Sequence, residues 1–469
     1  MQQERAVFLE GSLMRHITVM ALTSSVGLVA IFLVDLVDMI FISMLGRDEL
    51  AAAVGYAGAI LFFTTSFGIG MSIAAGALVA RTLGQGDREA ARRKASTALI
   101  YGVSFGALFA ALVWWNIPAL LKLLGASSVT LELGAHYLAI IIPSLPLLMV
   151  GMVGGAILRA HGAAKRAMVA TLIGGVVNAV LDPILIFGFG LELTGAALAS
   201  VAARVSIAAA ALYPLLRDFG GLARPSAADM KFDFKPLATI AFPAILTQLA
   251  TPVGQAYVTR SMAEFGEDAV AGMAIVGRLT PVAFGVLFAL SGAIGPIIGQ
   301  NFGAGETERV KRAFREGIIF TAVFVVAVAL VLFFLRAPIA DAFSAQGQAR
   351  VLVYLFCGPL ALMFLFNGVI FVGNATFNNL GRPFYSTWIN WGRHTLGTVP
   401  FVILGASWFG APGVLLGQAT GGIVFALVAA VFARRVMEQG KGEQGKGDET
   451  GSDGFERQSR LIALFRFRR

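Results

Sequence analysis

The chain has 469 residues, of which 57% are hydrophobic and only 13% are charged, and its formal net charge is +9. Ordinary soluble domains are about one-quarter charged, so this composition, with a mean hydropathy of +0.79, excludes a soluble globular protein and indicates one that lies mostly in lipid. The single cysteine, Cys357, excludes an internal disulfide framework, and four histidines far apart in the sequence indicate no structural metal site.

Apolar runs long enough to cross a bilayer as helices, about 20 residues each, follow one another along almost the whole chain. The runs are continuous and rich in glycine and alanine, whereas a membrane barrel would show segments of about ten alternating residues. The first run is too long for a signal-peptide core, so we expect it to be retained. The sequence predicts an all-α integral membrane protein with twelve transmembrane helices, at 17–44, 51–80, 95–115, 135–158, 167–187, 195–216, 237–263, 268–298, 317–335, 351–375, 384–404 and 413–431.

Basic residues concentrate in alternate loops. The loops after the second, fourth, sixth and eighth spans are rich in arginine and lysine, and the opposite loops carry only Arg47, Lys122, Arg336 and Arg350. The positive-inside rule therefore predicts both termini in the cytoplasm of a cell whose inner membrane holds the protein. Since the positive charge is scattered over membrane-flanking loops, we expect contact with membrane lipids and no nucleic-acid partner.

An internal repeat divides the chain. The stretch "LGQGDREAARR" at 83–93 aligns without gaps with "FGAGETERVKR" at 302–312, and the same offset pairs "AHGAAKR" at 160–166 with "NLGRPFY" at 379–385. Because each half has an even number of spans, the copies share one orientation, which predicts two pseudo-symmetric six-helix bundles related by an axis along the membrane normal. The expected units are an amino-terminal lobe, 1–225, a carboxyl-terminal lobe, 226–435, and a tail, 436–469.

The glycine-rich loops lack the features of a nucleotide site. A Walker-type loop needs a lysine followed by serine or threonine after its last glycine, and here Asp87 or Glu306 follows. We predict instead that Gly84 and Gly303 end their helices in a left-handed cap, with the basic residues opening a short cytoplasmic helix. ATP hydrolysis is not expected, so any transport would depend on an ion gradient.

Three aspartates lie inside apolar spans, where a carboxylate costs several kcal/mol unless it is paired, hydrated or protonated. At about 1.5 Å per residue, Asp38 lies about 12 Å from the outer end of its helix and Asp182 about 10 Å from its own. Asn178 is one turn from Asp182 on the same face, and Ser200 falls near the same depth. We therefore predict a polar cluster in the outer half of the amino-terminal lobe. Asp35 could join this cluster, line a central cavity or pair with Arg204.

The carboxyl-terminal spans contain no acidic residue at depth and instead bury basic side chains. We expect Arg278 to hold helices together or to face a cavity, while Arg393, beside His394, could contact a substrate or a neighbouring carbonyl group. The repeat places Tyr257 or Val258 opposite Asp38, so this lobe should not copy the polar cluster. The candidate cavity residues are Tyr257, Arg278, Asn374 and Arg393.

Several motifs resemble the multidrug and toxic compound extrusion (MATE) family. They are "EGSLMRHI" at 10–17, "VDMIFISMLG" at 37–46, "VVNAVLDPILIFGFGLELTGAALAS" at 176–200 and "GPIIGQNFGAG" at 295–305, and the resemblance extends to Arg435. It is strongest to the bacterial and archaeal branch with polar residues in the amino-terminal lobe. The first span departs from that pattern, since Thr23-Ser24-Ser25 stands where relatives usually have a proline.

The resemblance implies a secondary antiporter that exports organic, mostly cationic and amphipathic compounds in exchange for H⁺ or Na⁺. Asp38, Asn178, Asp182 and Ser200 match the positions that relatives use for cation coupling, with Ser200 where threonine is usual. Because burial disfavours a charged carboxyl group, we expect H⁺ rather than Na⁺, although Na⁺ could bind at Asp38, Asn178 and Asp182. No cofactor and no enzymatic activity are expected, and the protein should be a monomer.

Two other functions compete with the exporter. A flippase for a lipid-linked saccharide, from the same superfamily, would use Arg278 and Arg393 as contacts for a pyrophosphate. An intramembrane aspartyl protease would need two facing aspartates and a glycine before one of them, but Asp182 follows Leu181. The loop and aspartate motifs favour the exporter.

The tail differs in composition from the rest of the chain. The stretch "EQGKGEQGKGDETGSDG" at 438–454 is rich in glycine and charge, which predicts a flexible linker. The final "FERQSRLIALFRFRR" mixes basic and aromatic residues, so it could lie on an anionic inner leaflet or remain unstructured.

Overall fold

The computed structural model describes residues 6–465, except for the side chains at positions 43 and 48 and from 440 onward. Every regular element in this part of the chain is helical, which confirms the predicted all-α fold. The α-helices are α1 Leu13–Ser43, α2 Asp48–Gly84, α3 Arg88–Trp115, α4 Ile117–Leu123, α5 Ser128–Ile141, α6 Leu145–Ala160, α7 Ala164–Pro183, α8 Glu192–Asp218, α9 Ala227–Ala263, α10 Glu267–Gly303, α11 Thr307–Ala342, α12 Gly347–Leu355, α13 Ala361–Asn379, α14 Phe384–His394, α15 Val399–Phe409 and α16 Ala411–Phe465.

Side-chain caps begin several helices where the sequence changes from polar to apolar. The Ser12 hydroxyl accepts from the amide of Arg15 at the start of α1, and the Asp87 carboxylate accepts from the amide of Ala90 at 2.8 Å at the start of α3. Ser226 begins α9 with a reciprocal capping box. These caps satisfy amide groups that the first helical turn leaves unpaired, and each cap precedes a long apolar helix.

Eleven helical segments of the described chain are long and apolar enough to cross a membrane. The eleventh predicted span, 384–404, is the exception, because it is divided into α14 and α15. Thr395 leaves the helical conformation, and Pro400 lies in the first turn of α15. Proline is tolerated there because the first turn needs no amide donor, but it cannot continue a preceding helix. The prediction of one continuous helix at this position was therefore wrong.

Prolines also interrupt two spans that were predicted to be continuous. The fourth span consists of α5 and α6 with a 3₁₀ turn, Ile142–Ser144, between them, and the tenth consists of α12 and α13 with a π-helical turn, Phe356–Leu360. A proline ring removes an amide donor and clashes with the preceding turn, which explains the breaks.

The glycines at the repeated loops have a different role from the predicted caps. The left-handed residues are Gly86 and Gly305, with φ of 80° and 79°, whereas Gly84 and Gly303 are still helical. A Cβ atom at Gly84 would collide with the backbone of Gln300, and one at Gly303 with the backbone of Arg81. Gly84 and Gly303 therefore allow α2 and α10 to cross at close range. The basic residues that follow open α3 and α11 directly rather than a separate short helix.

The repeat is visible in the packing of α1 to α8, the amino-terminal lobe, against α9 to α16, the carboxyl-terminal lobe. Helix α1 packs on α10 and helix α2 packs on α9, which are equivalent pairs under the repeat, and α2 and α10 pack on each other. The predicted division at residue 225 falls in the connection 219–226 between α8 and α9. The predicted tail, 436–469, lies largely outside the residues described with side chains, so its flexibility stays a prediction.

Candidate functional site

Asp38 and Asp182 meet in the half of the amino-terminal lobe opposite the basic loops. Asp182 of α7 is fully buried, and the Asn178 amide donates to its Oδ2 at 2.7 Å from one turn earlier on the same helix. The carboxyl group of Asp38, on α1, lies within interaction range of that of Asp182, and the Oδ1 atom of each is buried without a hydrogen-bond partner among the described residues. Two carboxyl groups can share a hydrogen bond only when one carries a proton. A proton on one of the two groups would therefore satisfy both unpaired oxygen atoms.

Tyr137 is a member of this cluster that the sequence reasoning missed. It is buried, its hydroxyl lies beside Ser200, and it is within electrostatic range of Asp38 and Asp182. A tyrosine in an apolar span needs a partner for its hydroxyl group, and this requirement was the signal available in the sequence. Helices α1, α5, α7 and α8 thus each contribute a polar side chain to one site.

Arg204 and Asp35 lie at the edge of the cluster. The Arg204 guanidinium donates to the Ser144 hydroxyl at 2.9 Å and to the Ile141 carbonyl at 3.1 Å, at the break between α5 and α6. The proposed pairing of Asp35 with Arg204 is not among the ion pairs of the described residues. Asp35 is exposed and lies one turn from Asp38, within electrostatic range of that carboxyl group.

Two residues that were predicted to line a cavity, Asn374 and Arg393, lie within the carboxyl-terminal lobe and contact other residues of that lobe. Asn374 is buried and its side-chain oxygen accepts from the Asn390 amide at 3.1 Å. Arg393 is half-buried, donates to the Asn367 side chain at 2.7 Å and touches His394. Both side chains have protein partners within one lobe, because the broken span carries polar groups that need internal acceptors. Neither is a ready contact for a substrate.

The other two candidates lie nearer the surface. Tyr257 is half-buried against an apolar cluster that includes Val258 and Met262. Arg278 is exposed and has no hydrogen bond or ion pair within the described part of the chain, so it does not hold helices together as expected. It lies seven residues before Gly285, at which α10 touches Val29 of α1.

A pair of equivalent hydrogen bonds joins the two lobes at the end that carries the basic loops. The Gln300 amide donates to the Ala160 carbonyl at 2.8 Å, and the Arg81 guanidinium donates to the Asn379 carbonyl at 2.6 Å. The sequence repeat pairs Arg81 with Gln300 and Ala160 with Asn379, so the same bond is made twice across the pseudo-twofold axis. We call these two hydrogen bonds the inner gate.

The amino-terminal segment strengthens the inner gate. Phe8 is 1% exposed, its amide donates to the Gln300 side chain at 2.8 Å, and its carbonyl accepts from Asn301 and Arg309, both at 3.1 Å. The segment therefore ties the amino terminus to α10 and α11 of the opposite lobe. The basic end of the molecule is closed by these contacts.

Comparison with known proteins agrees with this architecture. The MatE family model matches residues 24–184 and 243–404, one segment in each lobe. The chain is 30% identical over 443 residues to a protein named FAD transporter from Shewanella oneidensis. The alignment covers 93% of this chain and 98% of that protein.

Two further similarities come from efflux proteins and solved structures. The chain is 26% identical to the multidrug export protein MepA of Staphylococcus haemolyticus, over 87% of this chain and 90% of that one. The fold matches the crystal structure of the Vibrio cholerae MATE transporter VcmN in the bent form, with a TM-score of 0.86 and 25% identity over 91% of this chain and 98% of that chain.

Proposed function

Because this chain belongs to the MatE family of multi-pass membrane transporters, and is therefore not an enzyme, we propose that it exports organic compounds in exchange for protons. The proposed cargo is mostly cationic and amphipathic. We place the protein in the inner membrane, with both termini in the cytoplasm. Membrane lipids surround a single copy of the chain in this proposal. The relative named as a multidrug export protein supports this choice.

The observation that carries the proposal is the meeting of the Asp38 and Asp182 carboxyl groups, each with a buried oxygen atom that has no hydrogen-bond partner in the described part of the chain. When the pair is protonated, it has one negative charge or none and can stay packed between α1 and α7. Loss of the proton leaves two adjacent carboxylates that repel each other in a poorly solvated site. The helices that carry them then favour a wetter arrangement, and proton binding and cargo binding can bias the same two-state equilibrium in opposite directions.

Asn178, Ser200 and Tyr137 support the pair in this mechanism. The Asn178 amide stabilises one oxygen of Asp182, and the Tyr137 hydroxyl, beside Ser200, lies within electrostatic range of both carboxyl groups. The same oxygen atoms would also suit Na⁺. We favour the proton because burial disfavours two adjacent charged carboxyl groups, and one proton between them would satisfy both unpaired oxygen atoms.

A second candidate cargo is an organic anion. The relative named FAD transporter is 30% identical to this chain, and FAD carries a pyrophosphate. Export of such compounds is favoured by basic side chains without partners, of which Arg278 is one. The flippase alternative requires both Arg278 and Arg393 to contact a pyrophosphate. Arg393 already donates to Asn367, so only Arg278 of the two has no protein partner among the described residues.

Purified protein in liposomes tests the proposal directly. We expect an imposed pH gradient, without ATP, to drive movement of a cationic dye such as ethidium, and we expect Asp38→Asn and Asp182→Asn to abolish this movement while the protein still inserts. Asp341→Asn is the matched control, because Asp341 is an exposed carboxylate paired with Arg350 outside the cluster. Normal efflux by Asp38→Asn or Asp182→Asn over a full range of pH and sodium concentration would contradict the proposal.

A further inference from the structure

Arg159 lies in the last turn of α6, at the basic end of the molecule, and it makes no hydrogen bond or ion pair with the residues that the structure describes. Arg81, Arg204 and Arg393 differ, because each donates to an acceptor within 3.1 Å. Arg278 is also unpaired among the described residues, but it is exposed, whereas Arg159 is half-buried. Since a guanidinium group withdrawn from water without an acceptor is costly, Arg159 needs an explanation.

The side chain of Arg159 lies between the two lobes. It runs back along α6, so that its Nη1 atom is 3.5 Å from the position of a Cβ atom on Gly155. Its Nε atom is 3.9 Å from the position of a Cβ atom on Gly292 of α10, in the opposite lobe. Arg159 therefore lies at the interface between the two lobes, near the inner gate.

The two glycines beside Arg159 are not crowded by other side chains, and Gly292 is exposed. No other heavy atom lies within 4 Å of a Cβ position on either Gly155 or Gly292, apart from their own helices and chain neighbours. The next residue, Ala160, is the acceptor of the inner gate. The Arg159 side chain is thus close to the inner gate and lies beside one glycine of each lobe.

The carboxylates of the described chain do not neutralise this group. Asp38 and Asp182 form their own pair at the opposite end of the amino-terminal lobe, and Glu316 of α11 accepts from Arg312 at 2.7 Å. A guanidinium group binds phosphate or carboxylate through two parallel hydrogen bonds, which is why arginine recurs wherever such groups are recognised. The missing acceptor is therefore an oxyanion from outside the chain.

We propose that Arg159 is a specificity-determining contact that binds a phosphate group of a transported organic compound. This inference rests on the proposed transport function and adds a phosphate-bearing cargo to it. Binding of a phosphate group at Arg159 would then affect the inner gate, because the carbonyl of the adjacent Ala160 accepts a hydrogen bond from Gln300 of the other lobe.

Riboflavin and FMN test the contact, because they share one ring system and differ in a single phosphate group. The full chain is purified in a detergent without a phosphate group and in a buffer without inorganic phosphate. We then expect quenching of flavin fluorescence to show tighter binding of FMN than of riboflavin. Arg159→Gln should weaken FMN binding by about tenfold to a hundredfold and leave riboflavin binding as it was. Arg159→Lys keeps the charge without the planar fork and should lose less.

Arg336→Gln is the matched control, since Arg336 lies over the rings of Phe333 and Tyr354 at the other end of α11. It should retain the full preference for FMN, and thermal unfolding should show that all variants are folded. Equal binding of FMN and riboflavin by the wild-type protein, or an unchanged preference in Arg159→Gln and Arg159→Lys, would overturn the inference.

A lipid headgroup could supply the same phosphate chemistry, so phosphatidylglycerol is added as a competitor. We expect it to leave FMN binding unchanged, and displacement of FMN that depends on Arg159 would assign the site to lipid and overturn the inference. Transport separates this result from the proposed function. If the pH gradient drives ethidium export but the protein does not bind FMN more tightly than riboflavin, only the Arg159 contact is contradicted. If the gradient drives movement of neither ethidium nor FMN, the transport function itself is contradicted.

Discussion

The inner gate should set the balance between the observed closed form and a form that opens at the basic end. Replacing Gln300 with alanine removes two buried hydrogen bonds, one from the Phe8 amide and one to the Ala160 carbonyl. At about 1 kcal/mol each, their loss destabilises the closed form by about 2 kcal/mol. That difference changes the equilibrium constant about 30-fold, because in the open form water would satisfy the same groups.

Double electron–electron resonance measures this shift. Spin labels at Gln85→Cys and Ala304→Cys lie at exposed, repeat-equivalent positions at the ends of α2 and α10, and the buried Cys357 is replaced by alanine. We expect a longer distance to become a large fraction of the distribution in Gln300→Ala. Arg81→Gln should act in the same direction, because Arg81 makes the equivalent bond.

Gln418→Ala is the matched control for this experiment. Gln418 is half-buried and makes one long hydrogen bond, 3.4 Å, to the exposed Gln255 within the carboxyl-terminal lobe. It should leave the distance distribution unchanged. The reasoning is refuted if Gln300→Ala and Arg81→Gln both give the wild-type distribution across the pH range in which the transporter works.

Three further predictions concern the cluster, the helix crossing and one histidine. Tyr137→Phe removes a hydroxyl group that lies within electrostatic range of Asp38 and Asp182, so it should shift the pH profile of transport without lowering the amount of inserted protein. An unchanged profile would remove Tyr137 from the site. Gly84→Ala places a Cβ atom against the backbone of α10 and should cost about 1–3 kcal/mol of stability, whereas Gly58→Ala, with nothing within 4 Å, should be neutral or slightly stabilising in thermal unfolding. Burial, and secondarily the charge of Arg88, lower the pKa of His161 from 6.5 to about 4. Because the unfolded chain binds the proton more readily, the free energy of unfolding should fall as the pH drops from 6.5 toward 4. His161→Phe should reduce this dependence when unfolding is measured against pH.

The membrane-spanning segments and the depth of the polar residues were determined by the sequence itself. Hydropathy is a local property, so a run of apolar residues indicates a span without knowledge of its neighbours. The depth of Asp38 and Asp182 followed from the rise of a helix, and their meeting was predicted because both lie at one level of one lobe. The repeat likewise predicted which helices of the two halves are equivalent.

The tertiary structure alone decided which groups are partners. Tyr137 belongs to the site because the break between α5 and α6 and the packing of α8 bring it to Ser200, and no local pattern encodes that approach. Gly84 looked like a helix cap in sequence, but its role comes from the backbone of a helix more than 200 residues away. Hydrogen bonds and close crossings join segments that are distant in the chain, so they depend on how the lobes pack rather than on the composition of either segment.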